Sequence, residues 1–333
     1  MSNLFEKISR KTQNIRRFGF IYEWDNLMLR LGKAKNRSLK SIQKIESYYR
    51  KLPIEEYPNL LKEWYFNQSG RELNLENPTR FTEKIQWLKL NDSTKIKTIL
   101  ADKYLARDWA AEKIGEEHLI PLLGAWNSFD EMDLDKLPNS FVLKCNHGAS
   151  MNIVVKDKNT ADWKEIKEKL NRWMQTDFGF AMESFELHYR DIPRKIIAEQ
   201  YMKDGELEDL QDYKFFCFHG TPVYCQVIGS RSTNETIDFF DMDWNHMPFI
   251  GLLTKNSHET FSSTEIPKPK TLNQMIDAAK IMSKEFSFVR VDLYEINGKM
   301  YFGEMTFTPG SGSGSFRPDS MDFELGSLLN LNI

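Results

Sequence analysis

Arg290, Asp292, Glu304 and Thr306 have the types and spacing to hold a phosphate together with a hard divalent cation. They lie on two β-rich runs, residues 288–294 and 300–306, flanking the turn pair Asn297-Gly298. That pattern predicts an antiparallel hairpin, and its register decides what the hairpin can do. A two-residue Asn-Gly turn would set Asp292 opposite Gly303 and Glu304 opposite Val291, leaving the carboxylates on opposite faces. A three-residue loop, Ile296-Asn297-Gly298 with the glycine left-handed, shifts the pairing by one. Arg290, Asp292, Glu304 and Thr306 then share one face, and Val291, Leu293, Tyr301 and Met305 share the other. Phe302 still falls among the polar side chains. A slip of one residue would flip the whole set, so the longer loop is the expectation.

Other candidates lie upstream. Lys144 ends an apolar run just before the tight loop Asn146-His147-Gly148-Ala149-Ser150. An ammonium there, with backbone N–H groups of Gly148 to Ser150 turned inward, would grip phosphate oxygens. The spacing is not that of a P-loop. Taken alone, Lys144 also reads as a snorkelling surface lysine. His147 could touch phosphate or exchange a proton, whereas His219, before Gly220, reads as a turn residue. Glu199, Tyr201 and Met202 end a strand and enter an acidic loop containing Glu206 and Glu208, an arrangement that could cover an adenine and bind ribose hydroxyls. An edge strand with a solvated acidic turn is the plain alternative. Asp212 and Lys214 alternate on one side of a strand, and a simple ion pair would also explain them.

The elements that must position these groups can be read from period and punctuation. Residues 1 to about 72 read as helical. After a break at 74–79, Thr82 is placed to cap a helix over Glu83–Leu88. A further helix carries Lys103 and stops near Gly115. Strands are expected at 141–145, 152–155, 195–201, 212–218 and 223–228, with helices near 163–174 and 271–285. The absence of a regular βαβ alternation favours an antiparallel α+β architecture. The glycine-serine run after Pro309 reads as a flexible linker or a phosphate- or substrate-facing loop.

With 333 residues, 28% charged and 41% hydrophobic, the chain is of ordinary globular composition. Its three cysteines lack metal-ligand spacing and suit a reducing compartment. No apolar run is long enough to span a bilayer, so a cytoplasmic location is expected. The net charge of −3 hides a surplus of 9 positive charges in residues 1–51, where 13 Lys/Arg face 4 Asp/Glu. The plain reading is a solvated helical face packed on the body. A basic amphipathic element resting peripherally on an anionic inner membrane face is a second. Nucleic-acid binding lacks any accompanying motif.

Taken in order, these features resemble the ATP-grasp superfamily, and within it the TupA-like branch found with bacterial surface-polysaccharide genes. The branch-level features are Asn74–Pro78 with Phe81–Trp87, Asp102-Lys103, Lys144–Gly148, Asp212–Phe215 and Glu304–Pro309. The likeness implies an α+β ATP-grasp fold with a mostly antiparallel sheet, a small lid subdomain and a helical N-terminal extension. The implied divisions are 1–72 for the extension, 73–120 for the first part of the body, 121–198 for the lid and 199–333 for the subdomain bearing the metal site.

By the same resemblance, Lys103 and Lys144 are phosphate lysines and His147, Gly148 and Ser150 belong to the loop over the phosphates. Glu199, Tyr201 and Met202 flank adenine, and Glu206 or Glu208 is the ribose acid. Arg290 steadies the transferred phosphoryl group, with Lys214 and Asp212 beside it. Asp292 and Glu304 bind one or two Mg²⁺. Thr306 stands where many relatives carry asparagine, a better metal ligand. The implied reaction is ATP-dependent joining of a carboxylate to an amine through an acyl phosphate. Its implied partners are a uronic acid of a surface polysaccharide and an amino acid or small amine. The alternatives are a phosphotransferase on the same fold, a nucleotide-sugar glycosyltransferase using Asp241-Met242-Asp243, and a non-catalytic membrane adaptor.

Overall fold

The structure is a computed structural model, and it describes residues 11–34, 37–205, 210–229, 235–253 and 260–331. The N-terminal extension is helical, as expected. A helix through residues 11–18 (α1) breaks at Gly19, whose φ of 79° is left-handed, and the chain resumes as α2 (Phe20–Arg30). Ser38 starts α3 (Leu39–Lys51) by accepting a hydrogen bond from the Ser41 N–H at 3.3 Å, the usual service of an N-cap hydroxyl. Next comes α4 (Tyr57–Ser69), which stops at left-handed Gly70. These helices bury Phe18, Tyr22, Ile45, Tyr49, Leu61 and Tyr65 against Phe180 and Phe185 of the following body.

Three helices follow: α5 (Phe81–Asn91), α6 (Lys95–Ala101) and α7 (Ala106–Ile114), the last ending at Gly115. The start of α5 differs from expectation. Thr82 lies inside its first turn, and the Glu83 carboxylate reaches back to the backbone N–H groups of Thr79 and Arg80 at 2.9 and 3.0 Å. Thr82 itself donates from N and Oγ1 to the two oxygens of Asp322, at 2.9 and 2.8 Å. The partner comes from the far end of the chain, so no local pattern announces it.

The lid is a four-stranded antiparallel sheet made from β1 (Leu122–Trp126), β2 (Phe141–Cys145), β3 (Asn152–Val155) and β4 (Ile196–Gln200), in the order β1-β4-β2-β3. Its covering helix α8 (Trp163–Met174) packs Ile166 and Leu170 onto Phe141, Leu143 and Ile196. A short α9 (Phe178–Ala181) follows α8.

The larger sheet contains β5 (Asp212–Phe218), β6 (Thr221–Gly229), β7 (Thr236–Phe240) and β8 (His246–Met247). After β9 (Ile250–Leu253) and α10 (Leu272–Ser283), it is completed by β10 (Phe288–Ile296) and β11 (Lys299–Thr306). Its order is β11-β10-β5-β6-β7-β8, antiparallel throughout. The chain closes with β12 (Ser315–Arg317), which pairs with β9, and with α11 (Ser320–Leu328).

Alternation along β5 and β10 divides the core. Tyr213, Phe215, Val289 and Val291 face α7 and α10 on one side. Phe216, Phe218 and Phe288 face α5 and α11 on the other, each phenylalanine contributing about 1.5–3 kcal/mol by burial. Farther along the strands this second face turns polar, because Asp212, Lys214, Arg290 and Asp292 have the same parity as those phenylalanines. An aromatic floor therefore runs directly into a charged patch.

Candidate active site

The charged patch is built on a cross-strand row. Asp292 in β10 lies opposite Lys214 in β5 on one side and opposite Glu304 in β11 on the other, and Arg290 pairs with Thr306. The expected shared face is therefore real, but its cause is different. The turn is the two-residue kind: Ile296 pairs with Lys299, and Asn297 and Gly298 take left-handed φ values of 53° and 73°. A β-bulge between Asp292 and Leu293 on the one strand, absorbed around Gly303 on the other, shifts the register by one before Glu304. The same bulge turns Phe302 to the apolar side, where it joins Leu293, Met300 and Met305. Tyr301, expected among those apolar residues, instead pairs with Tyr294 on the opposite face.

Side chains close the patch into a network. Arg290 forks onto Asp292, its Nε and Nη2 donating to Oδ1 and Oδ2 at 2.7 Å each. Arg290 Nη2 also donates to Thr306 Oγ1 at 3.1 Å and lies 3.6 Å from Glu304 Oε1. Thr306 Oγ1 donates to Glu304 Oε1 at 3.1 Å. Lys214 Nζ pairs with Asp292 Oδ2 and stands 3.7 Å from Asp212 Oδ1. Lys103, in the turn between α6 and α7 rather than on a helix, brings its Nζ to 3.4 Å from Glu304 Oε2.

Burial alone would raise the Glu304 pKa, but Lys103, Lys214 and Arg290 outweigh it and hold the carboxyl well below the usual carboxylate range. Tyr189, between α9 and β4, senses the same charges. Burial first, then Glu304 and Glu186, push its phenol well above the ordinary value, so it stays a neutral donor.

Lys103 also ties the patch to the lid, donating from Nζ to Gly148 O at 2.7 Å. Asn146 stiffens that junction. Its amide donates to Asp102 Oδ1 at 2.8 Å, its carbonyl accepts from Lys103 N at 3.1 Å, and its Oδ1 accepts from Lys195 N at 2.6 Å. Gly148 is required here, since a Cβ at that position would come within 2.7 Å of the Phe178 ring. Ala149 and Ser150 are exposed at the loop tip.

Lys144 and Glu199 form a second group. Lys144 Nζ lies 2.6 Å from Glu199 Oε2, and Arg107 Nη1 is 2.8 Å from Glu199 Oε1 while its Nη2 donates to Ile120 O at 2.7 Å. Half-buried Tyr201 and Met202 continue from this strand. Glu206 lies outside the described residues.

His147 is a correction. It is buried inside the lid at 1% exposure, with Nε2 at 3.0 Å from Trp173 O and Nδ1 without a hydrogen-bond partner. Burial lowers its pKa to about 4, so the ring stays neutral at neutral pH and is not presented to a phosphate. Arg107 carries no motif that singles it out in the sequence, and only the fold brings it to Glu199. Asp241 is taken up by its own turn, accepting from the N–H groups of Asp243 and Asn245 at 3.0 and 2.8 Å. This is turn chemistry, and it leaves the Asp-x-Asp motif no free carboxylate pair for a nucleotide-sugar metal.

The donor set suits Mg²⁺ held with phosphate. Asp292 and Glu304 supply two carboxylates and Thr306 a hydroxyl, while no cluster of three His, Cys, Asp or Glu exists among the described residues. Such a set cannot form an all-protein cage. It does match an ion that keeps its waters and takes its remaining ligands from a triphosphate.

A search of curated proteins finds no match. Among solved structures, the D-alanine–D-alanine ligase from Bacillus anthracis complexed with ATP aligns at 14% identity and a TM-score of 0.41, over 69% of this chain and 65% of that one. The VanG D-Ala:D-Ser ligase from Enterococcus faecalis aligns at 12% identity and a TM-score of 0.37, over 69% and 60%. The ATP-grasp ligase PsnB, complexed with a phosphomimetic variant of its minimal precursor, Mg and ADP, aligns at 10% and 0.37, over 71% and 59%. The chain thus spans less than two thirds of the length of these ligases. The family model for TupA-like ATP-grasp proteins matches residues 83–330, and the chain belongs to that family.

Proposed function

We propose that the protein is an ATP-dependent carboxylate–amine ligase that activates a sugar-acid carboxylate as its acyl phosphate and transfers it to an amino acid or small amine. The observation that carries this reading is the row Lys214–Asp292–Glu304 with Arg290 and Lys103 around it. Three cations and two carboxylates converge at one end of an apolar sheet face, where the low dielectric strengthens their action on a triphosphate.

In the structure these groups satisfy one another. With nucleotide present, Lys103, Lys214 and Arg290 would meet phosphate oxygens, and Asp292, Glu304 and Thr306 would hold Mg²⁺. The metal, when bound, neutralises phosphate charge and fixes its orientation. Arg290 and Lys214 then stabilise the negative charge that builds as the substrate carboxylate approaches in line. Lys144, released from Glu199, adds a cation from the lid, and Glu199, Tyr201 and Met202 border the base. The loop Gly148–Ser150 shields the acyl phosphate from water. Asp212, buried beside Lys214, serves the ion-pair network rather than deprotonating the amine.

The sugar acid is a uronate of a surface polysaccharide in this reading, as the resemblance drawn from the sequence motifs implies. Uronate and amine together should release ADP with formation of an amide. Phosphorylated product from a hydroxyl acceptor, with no ADP release for any uronate–amine pair, would replace the ligase by a phosphotransferase.

A further inference from the structure

In the N-terminal extension, Phe20, Trp24, Leu27 and Leu31 are 78%, 61%, 45% and 56% exposed. At about 100° per residue they fall within a stripe roughly 60° wide along α2 and its C-cap. The opposite side of the helix is spoken for. Tyr22 is buried against Phe18 at 4.6 Å between ring centroids, and Asp25 Oδ2 accepts from both N and Oγ of Ser38 at 2.7 Å. The helix is therefore anchored by one face and presents aromatic and aliphatic side chains on the other.

The charge around this stripe is one-sided. Lys11, Arg16, Arg30, Lys33, Lys40, Lys44 and Lys51 are exposed and have no carboxylate partner among the described residues. Arg17, Arg37 and Arg50 are paired, with Glu63, Glu183 and Asp177. Between residues 11 and 51 the acids are hydrogen-bonded within the fold: Asp25 as above, Glu46 on the Asp177 N–H at 2.6 Å, and Glu23 on the Asn14 amide at 2.8 Å; Glu55 and Glu56, beyond α3, are exposed. An apolar stripe bearing a tryptophan, on a segment (residues 11–51) whose exposed cations outnumber its acids, complements an anionic lipid surface. A helix lying in the headgroup region buries such a stripe and leaves the flanking ammonium and guanidinium groups among lipid phosphates.

We propose that α2 docks the protein on an anionic bilayer surface, with Phe20, Trp24, Leu27 and Leu31 inserted and Arg30 and Lys33 at the headgroups. The docking face is fastened to the rest of the molecule through Glu183. That carboxylate accepts from Tyr22 Oη at 3.1 Å and Tyr49 Oη at 3.4 Å, and pairs with Arg37 at 3.0 Å. This inference stands apart from the ligase reading and survives its failure.

The test is co-sedimentation of the full chain with phosphatidylcholine vesicles, with and without about 30 mol% phosphatidylglycerol. Sedimentation should require the anionic lipid and weaken as salt is raised. Replacing Phe20, Trp24, Leu27 and Leu31 together by serine should lower the bound fraction at least tenfold, with far-UV circular dichroism and cooperative thermal unfolding retained. Arg30→Glu with Lys33→Glu should weaken binding and flatten its salt dependence. The proposal is overturned if the wild type stays in the supernatant at low salt, if the serine variant sediments equally well, or if the serine changes dissociate a dimer, which would assign the stripe to a second copy of this chain.

Discussion

Asp292 faces Glu304 directly across β10 and β11, and the Arg290 guanidinium reaches both, forked onto the first at 2.7 Å and 3.6 Å from the second. The two carboxylates are nonetheless unequal. Asp292 is 1% exposed and saturated by Arg290 and Lys214, whereas the Glu304 side chain is 35% exposed and meets Lys103 at the patch's edge. Their substitutions should separate stability from chemistry.

Asp292→Asn strands two buried cations, and breaking such a pair costs about 3–5 kcal/mol. Glu304→Gln leaves Lys103 bonded to Gly148 O but removes a carboxylate that three cations favour, so it should destabilise the fold, though by less than Asp292→Asn. It should still lower turnover by roughly 10²–10³-fold. Denaturant titration and steady-state ADP release on the two variants check both halves.

The hairpin's register depends on Gly303. A Cβ there would lie 2.9 Å from the Asp292 carbonyl oxygen and 3.0 Å from the Tyr294 ring, and backbone cannot yield as a side chain can. Gly303→Ala should destabilise by about 1–3 kcal/mol and lower turnover, because relief of the clash moves Asp292 relative to Glu304. Gly298→Asn is the control: nothing lies near that position, and asparagine tolerates its φ of 73°. Thermal melts and ADP release should distinguish the two.

The glycine-serine segment after Pro309 is braced rather than loose. Glu186 accepts from Thr308 Oγ1, from Ser311 Oγ at 2.7 Å and from Ser184 Oγ at 2.9 Å. Buried Lys89 donates to Ser311 O at 2.6 Å and Ser184 O at 2.8 Å. Glu186→Ala leaves three hydroxyls without their acceptor, each worth about 1–3 kcal/mol when buried. Amide hydrogen exchange across 308–314 should accelerate at least tenfold, with Mg·ATP affinity retained.

A pH signature belongs to Glu46. Burial raises its pKa from 4.5 to about 7, with Asp177 adding to the shift while the Asp177 N–H, Arg194 and Arg50 oppose it. Between those two values the native state holds a proton that the unfolded state has released, so stability falls as pH rises from 4.5 to 7. Glu46→Gln removes that slope. Its unfolding free energy relative to wild type should climb across this window and level off above it, as read from urea titrations at stepped pH.

Much of this architecture was legible in local pattern. Residues 163–174 carry a helix bounded as their spacing predicts, and His219-Gly220 makes the expected turn, with φ values of 48° and 79°. The hairpin shows where local reading reaches the right face by the wrong route. The turn obeys Asn-Gly, and the bulge at Gly303 supplies the shift, a role that a glycine inside a strand does signal. Partnerships between distant segments left no such trace. Thr82 with Asp322, Glu186 with Thr308, and Lys103 with Gly148 form only once the chain has closed on itself.

The central claim is that this charge row is a Mg·ATP site, and thermal denaturation of the full chain tests it directly. Mg·ATP should raise the wild-type Tm, a ligand at 100 times its Kd contributing about 2.7 kcal/mol, and Glu304→Gln should lose most of that shift while still melting cooperatively, from a lower Tm, without ligand. No shift in the wild type, or an equal shift in Glu304→Gln, would contradict the account.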